Sequence, residues 1–199
     1  MKLKIHNARI LTPYRTIPKG TVLITDGRIT AVEPGDIEVE DTVEIDAQGQ
    51  YVSPGFIDIH VHGGGGSDFM DGSEAAFLKI AETHAKHGTT ALVPTTLTCE
   101  KEDLIQTLAL YNRANEKNLK GAQFLGMHLE GPYLAMNQKG AQDARYISEP
   151  KPEEYKDILS RTSVIKRWSA APELKGALEF AHYLQSRGIL PAIAHSDAI

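Results

Sequence analysis

Two histidines one residue apart, His60 and His62, close a short apolar run in "PGFIDIHVHGGGG" (Pro54 to Gly66), and four glycines follow. Side chains alternate along a strand, so both imidazoles face one way while Ile59 and Val61 face the other. Such a pair is either two surface histidines on an edge strand or two metal ligands at the mouth of a buried one. Further along, "FLGMHLEG" ends on His128 and Glu130, and "ILPAIAHSD" on His195 and Asp197. Imidazoles with a carboxylate are what a borderline divalent ion such as Zn2+ or Fe2+ takes from protein, and a catalytic site leaves one position open to water. A bound ion lowers the pKa of that water from 15.7 to about 7, which makes hydrolysis the natural reaction class. His60, His62, Glu130 and His195 therefore read together as one metal site. His6, His84, His87 and His182 fall on helix or surface patterns and read as packed or solvated side chains.

Elements of one kind must bring these residues together. From Pro54 onward, apolar runs beginning at Phe56, Ala91, Phe124, Arg167 and Ile189 alternate with amphipathic segments. Phe77, Ile80, Ala81 and His84 fall at helical spacing between Ser73 as N-cap and Gly88 as stop. Leu104, Leu108 and Tyr111 mark a second helix, with Glu100, Glu102 and Asp103 in its first turn, where the helix dipole favours acids. Leu174, Ala177, Leu178 and Ala181 mark another, ended by Gly188. This is the rhythm of successive βα units, hence of a parallel sheet, open or closed. In such folds function gathers at the carboxyl ends of the strands, which is where the ionisable residues stand. Residues 1–53 read differently, as strands and turns: "TVLITDGRITAV" sets two β-branched runs around Asp26-Gly27, a preferred hairpin turn. The chain thus divides into a small β unit, 1–53, and five βα units, 54–199.

Composition narrows the function classes. The chain has 199 residues, 41% hydrophobic and 24% charged, with a formal charge of −5 and both signs interspersed. Nothing in it forms the basic stripe that nucleic acid or a membrane surface demands. No apolar run approaches the roughly 18 residues of a membrane span, and the start "MKLKIHNARIL" lacks a signal-peptide pattern, so a cytoplasmic protein is expected. The lone Cys99 excludes an intramolecular disulfide framework and reads as an inert thiol. Gly63 to Gly66 lacks the G-x-G-x-x-G spacing and does not open onto a helix, so a dinucleotide site is rejected; such a loop gives room for a ligand or a sharp turn.

Taken in order, "PGFIDIHVHGGGG", "LVPTT", "HLEGPYLAMNQKGAQ", "APE" and "AHSDA" resemble the N-acetylglucosamine-6-phosphate deacetylases of the amidohydrolase superfamily. The match runs along essentially the whole chain, and "HLEGP" followed by "QKGA" is its most specific part. The resemblance implies an α/β fold: a distorted (β/α)8, TIM-like barrel, of which about five of eight strands are in hand, beside part of a small β-sandwich. It implies that Glu130 and His195 bind the principal metal, that His60 and His62 match a pair holding a second metal in some members, and that Ala141 and Gln142 touch the substrate. It also implies a cofactor of one or two divalent ions, Zn2+ or Fe2+, an amino-sugar phosphate as small-molecule partner, and a homodimer when full length.

Three departures from the family stand out. Gln142 occupies a position where members often carry His, and Ala194 replaces the usual Gly before His195. A complete barrel needs about 250 residues. By the resemblance, a third histidine ligand and the general-base aspartate would lie beyond Ile199, so no residue here is assigned as catalytic base. The expectation is the N-terminal half of a deacetylase that frees acetate from N-acetyl-D-glucosamine 6-phosphate, inactive as 199 residues alone. The alternatives are an amidohydrolase acting on N-acetylgalactosamine 6-phosphate or another N-acyl substrate, and a non-catalytic half-barrel.

Overall fold

The computed structural model describes residues 1–198. Two compact units divide at Gly55/Phe56. In the first, β1 (Lys2–Leu11), β2 (Thr16–Thr25) and β3 (Arg28–Pro34) run antiparallel, while β4 (Val43–Asp46) and β5 (Tyr51–Val52) lie parallel to β1 in the same sheet. The expected hairpin turn is present, with positive φ at Asp26 and Gly27. A small cluster of Ala8, Ile10, Ile17 and Val22 forms this unit's core.

The second unit holds the βα succession. It comprises β6 (Phe56–Val61), β7 (Gly63–Gly64), β8 (Ser67–Asp68), α1 (Glu74–Lys86), β9 (Thr89–Thr96) and α2 (Lys101–Lys117). Then come β10 (Gln123–Phe124), β11 (Met127–Glu130), α3 (Pro152–Arg161), β12 (Ile165–Ala170), α4 (Ala177–Ser186) and β13 (Leu190–Ile193). β6, β9, β11, β12 and β13 pair in that order, all parallel, in a curled sheet that is half of a barrel. Among the described residues β6 and β13 each have a single neighbour, and they carry exposed apolar side chains at Phe56, Ile57, Ile59, Leu190 and Ile193.

Local chemistry sets these elements. The Ser73 hydroxyl accepts from the Ala76 amide at 3.2 Å and caps α1, whose Phe77 and Ile80 are wholly buried. Each such burial contributes about 1.5–3 kcal/mol. The core they join runs through Phe69, Leu92, Phe124, Trp168 and Phe180.

The structure departs from the expectations in five places. The run from Phe124 is one strand in the sequence but two in the structure, broken at Gly126, whose φ is 119°. The strand expected from Arg167 begins two residues earlier, at Ile165, and Glu100 sits at the N-cap of α2 rather than in its first turn. α3 has no counterpart in the apolar-run reading. The last strand ends at Ile193, so His195 lies in the loop beyond it, with φ of 49°. Among the described residues, no helix is long and apolar enough to cross a membrane.

Candidate metal centre

Three imidazoles surround one carboxylate. β11 delivers Glu130, 5% exposed, at its last position. His60 reaches it from β6 and His62 from the position just after that strand: His60 Nε2 is 3.3 Å from Glu130 Oε1 and His62 Nε2 is 3.1 Å from Oε2. Alternation puts residues i and i+2 on one face, and here the two Nε2 atoms converge to 3.1 Å. His195 Nε2 approaches Glu130 Oε1 to 3.3 Å from the loop after β13. His60, His62 and Glu130 form a group whose ligand atoms all lie within 4.8 Å of one another, a spacing that could hold a metal ion.

The glycines that follow make a tight hairpin. β7 and β8 pair across Gly65 and Gly66, both at positive φ, and turn the chain sharply away behind His62.

The loop after β11 fastens two of the four groups. Gln142 is 4% exposed; its Oε1 accepts from the Thr98 amide at 2.8 Å, which leaves its Nε2 to donate to Glu130 Oε2 at 2.9 Å. Ala141, its neighbour, is exposed. The Gln138 carbonyl lies 2.6 Å from His195 Nδ1, and the Ala135 amide donates to the His195 carbonyl at 2.9 Å. Asp197 accepts from Gln138 Nε2 at 2.5 Å, and Asp58 accepts from the His60 amide at 3.0 Å. Both carboxylates therefore already have structural partners.

Electrostatics prepares the group for a cation. Burial pushes the Glu130 carboxyl upward, yet the hydrogen bond from His62 and the charges of His60, His62 and His195 hold it down to about 2. Glu130 is thus an anion throughout the neutral range. A carbonyl only accepts, so His195 Nδ1 must carry the proton, and a neutral His195 then aims the Nε2 lone pair at a carboxylate oxygen 3.3 Å away. Two acceptors face to face are favourable only with a proton or a metal ion between or beside them. The donor set, imidazole nitrogen plus carboxylate oxygen, suits a borderline divalent ion.

Several neighbours were not singled out as ligands or partners in the sequence. His128 is fully buried between Thr95 and Ser169, with its ring edge-to-face on His60 at a centroid distance of 4.8 Å. Thr95, Thr98 and Ser169 carry no sequence signal beyond a polar residue near a strand end. Cys99 is no nucleophile: burial, then Asp103 and Glu100, push its thiol up to about 11.

The chain has known counterparts. The chain matches the amidohydrolase family over residues 51–180. It is 34% identical to the N-acetylglucosamine-6-phosphate deacetylase of Bacillus subtilis (strain 168), over 98% of this chain and 51% of that protein. The N-acetylgalactosamine-6-phosphate deacetylase of Escherichia coli O157:H7 is 32% identical, over 96% of this chain and 49% of that one. The crystal structure of N-acetylglucosamine-6-phosphate deacetylase from Pasteurella multocida superposes with a TM-score of 0.90 at 28% identity, covering 100% of this chain and 52% of that chain. The chain spans about half the length of the curated relatives it matches. With 130 of its residues inside the family match and strand-end histidines gathered about one carboxylate, this chain belongs to the amidohydrolase family.

Proposed function

We propose that the whole protein is a metal-dependent hydrolase that removes acetate from N-acetyl-D-glucosamine 6-phosphate, leaving D-glucosamine 6-phosphate. The observation that carries this reading is the Glu130 carboxylate ringed by three imidazole Nε2 atoms within 3.3 Å. Its support in substrate class is the run of deacetylases of amino-sugar phosphates among the relatives. Glu130 and His195 hold the principal ion, Zn2+ or Fe2+, and His60 and His62 a second, weaker one. Such an ion supplies Lewis acidity, which makes water a usable nucleophile near neutral pH.

The residues of this chain supply position and charge. Glu130 brings the negative charge that a cation needs, and Gln142 fixes the carboxylate's orientation by donating to Oε2, the oxygen that His62 also faces, while Oε1 faces His60 and His195. The Gln138 carbonyl holds the His195 ring in the tautomer with Nε2 free. Ala141, exposed, and Gln142, through its second amide proton, face the sugar. On this reading the proton is moved by an aspartate that is none of the residues 1–199. The protein acts as a cytoplasmic homodimer. A specific observation favours one second reading, deacetylation of N-acetylgalactosamine 6-phosphate: a relative with that name is 32% identical.

The test is acetate release by the purified whole protein from both sugar phosphates, with metal content measured beside Glu130→Gln. A neutral amide is a poor ligand, so the metal content is expected to fall sharply in the variant. Unchanged stoichiometry would sink the site assignment, and preference for the galactosamine compound would select the second reading.

A further inference from the structure

We propose that His128 is a positioning residue for His60 and His62, held as its neutral Nδ1–H tautomer by Thr95 and Ser169. This rests on the metal reading of the site.

Counting protons fixes the tautomer. The Thr95 hydroxyl has one proton and two lone pairs. It accepts from the Val61 amide at 3.1 Å and donates its proton to the Val93 carbonyl at 3.2 Å. Its remaining lone pair faces His128 Nδ1 at 3.3 Å, so Nδ1 is the donor. A neutral imidazole then offers Nε2 as acceptor, and the Ser169 hydroxyl, 2.7 Å away, donates to it. Each polar atom of this buried set has a partner of the right kind.

The network's reach explains its role. Val61 stands between His60 and His62, at the point where the register of β6 against β9 shifts, between Asp58 and Val61. Pairing with β9 resumes only at Val61, opposite Pro94, so the ladder does not by itself hold the residues between Asp58 and Val61. The Thr95 hydroxyl does, through the Val61 amide, and the same hydroxyl holds His128, whose ring is the edge-to-face wall for His60. β9, β11 and β12 together aim a pair of histidines carried by an edge strand. A core histidine with no such role would affect stability alone.

The experiment uses the whole protein and Zn2+ alone as the probe. Long-range 1H–15N spectra of the metal-free protein should show His128 with its proton on Nδ1. Ser169→Ala removes the donor to Nε2 without enlarging a side chain. In chelator competition its Zn2+ affinity at the weaker site is expected to fall about tenfold, the low end of what lost outer partners of metal ligands do. Ser169→Thr, which keeps the hydroxyl, should restore it, and KM at saturating metal should stay unchanged in both. Thr95→Val, nearly isosteric, provides a second variant should Ser169→Ala fold poorly, and the tautomer is read on the wild type in any case. A proton on Nε2, or wild-type Zn2+ affinity in folded Ser169→Ala or Thr95→Val, would overturn the proposal. If Glu130→Gln loses metal while those variants keep it, the positioning role fails and the metal site stands; if Glu130→Gln keeps metal, the site reading itself fails.

Discussion

A carboxyl as enclosed as that of Glu130 would ordinarily keep its proton, because burial disfavours the charged form. Three imidazoles reverse that here, and the Gln142 amide is a further, less expected partner of the same carboxylate. Gln142 has both ends committed, Oε1 to the Thr98 amide and one N–H to Glu130, which leaves a single N–H to donate elsewhere. Gln142→Ala removes a hydrogen bond that stabilises by about 0.5–1.5 kcal/mol when made. On the proposed sugar contact, KM measured at saturating metal should rise about two- to tenfold. On the observed contact to Glu130, metal affinity should fall as well. Steady-state kinetics at several metal concentrations separates the two effects, and a KM equal to wild type at saturating metal would confine the residue to Glu130.

Elements, not propensities, decide how these residues meet, and one glycine marks where an element had to break. Gly126 interrupts what would be a continuous strand from Phe124 to Glu130, and a Cβ built on it would lie 2.8 Å from the Val164 carbonyl oxygen, at a φ of 119°. Gly126→Ala should therefore lower stability by about 1–3 kcal/mol, seen as an earlier urea midpoint with unchanged slope. An unshifted midpoint would mean that the strand break tolerates a side chain. Much of this level was legible in the sequence. The alternation of apolar runs and amphipathic segments gave five parallel strands, and alternation within "FIDIHVH" gave the shared face of His60 and His62. α3 was not legible because its buried face, Tyr155, Ile158 and Leu159, is thin and set among charged residues. The inward turn of Gln142 and the bend that swings His195 off its strand come from loop backbone, which periodicity does not describe. Thr95 and Ser169 look like any polar strand residue until their hydroxyls are found on either side of a buried imidazole.

At the scale of the molecule, the site's histidines make folding and metal binding depend on pH in different ways. Burial, then the positive charge of Arg167, lowers the His128 imidazole from 6.5 to about 3, and burial lowers His60 as well. Below pH 6.5 the unfolded chain protonates these rings while the folded protein does not, so stability falls as pH drops from 6.5 toward 3. His62 is shifted the other way: the hydrogen bond to Glu130, against burial and with help from Asp68, raises it above 6.5. Its contribution is fully present below 6.5 and is lost as pH rises through the folded-state value. In metal-free protein the site therefore favours folding most near pH 6.5, with losses on both sides. A bound ion changes the upper branch, because it needs the His62 lone pair that the proton otherwise occupies. Thermal unfolding followed across pH 4–9, with EDTA or with excess Zn2+, should show the metal increasing stability more at pH 8 than at pH 6 and moving the optimum upward. Parallel curves with and without Zn2+ would mean that no imidazole of this site gives up a proton to the ion.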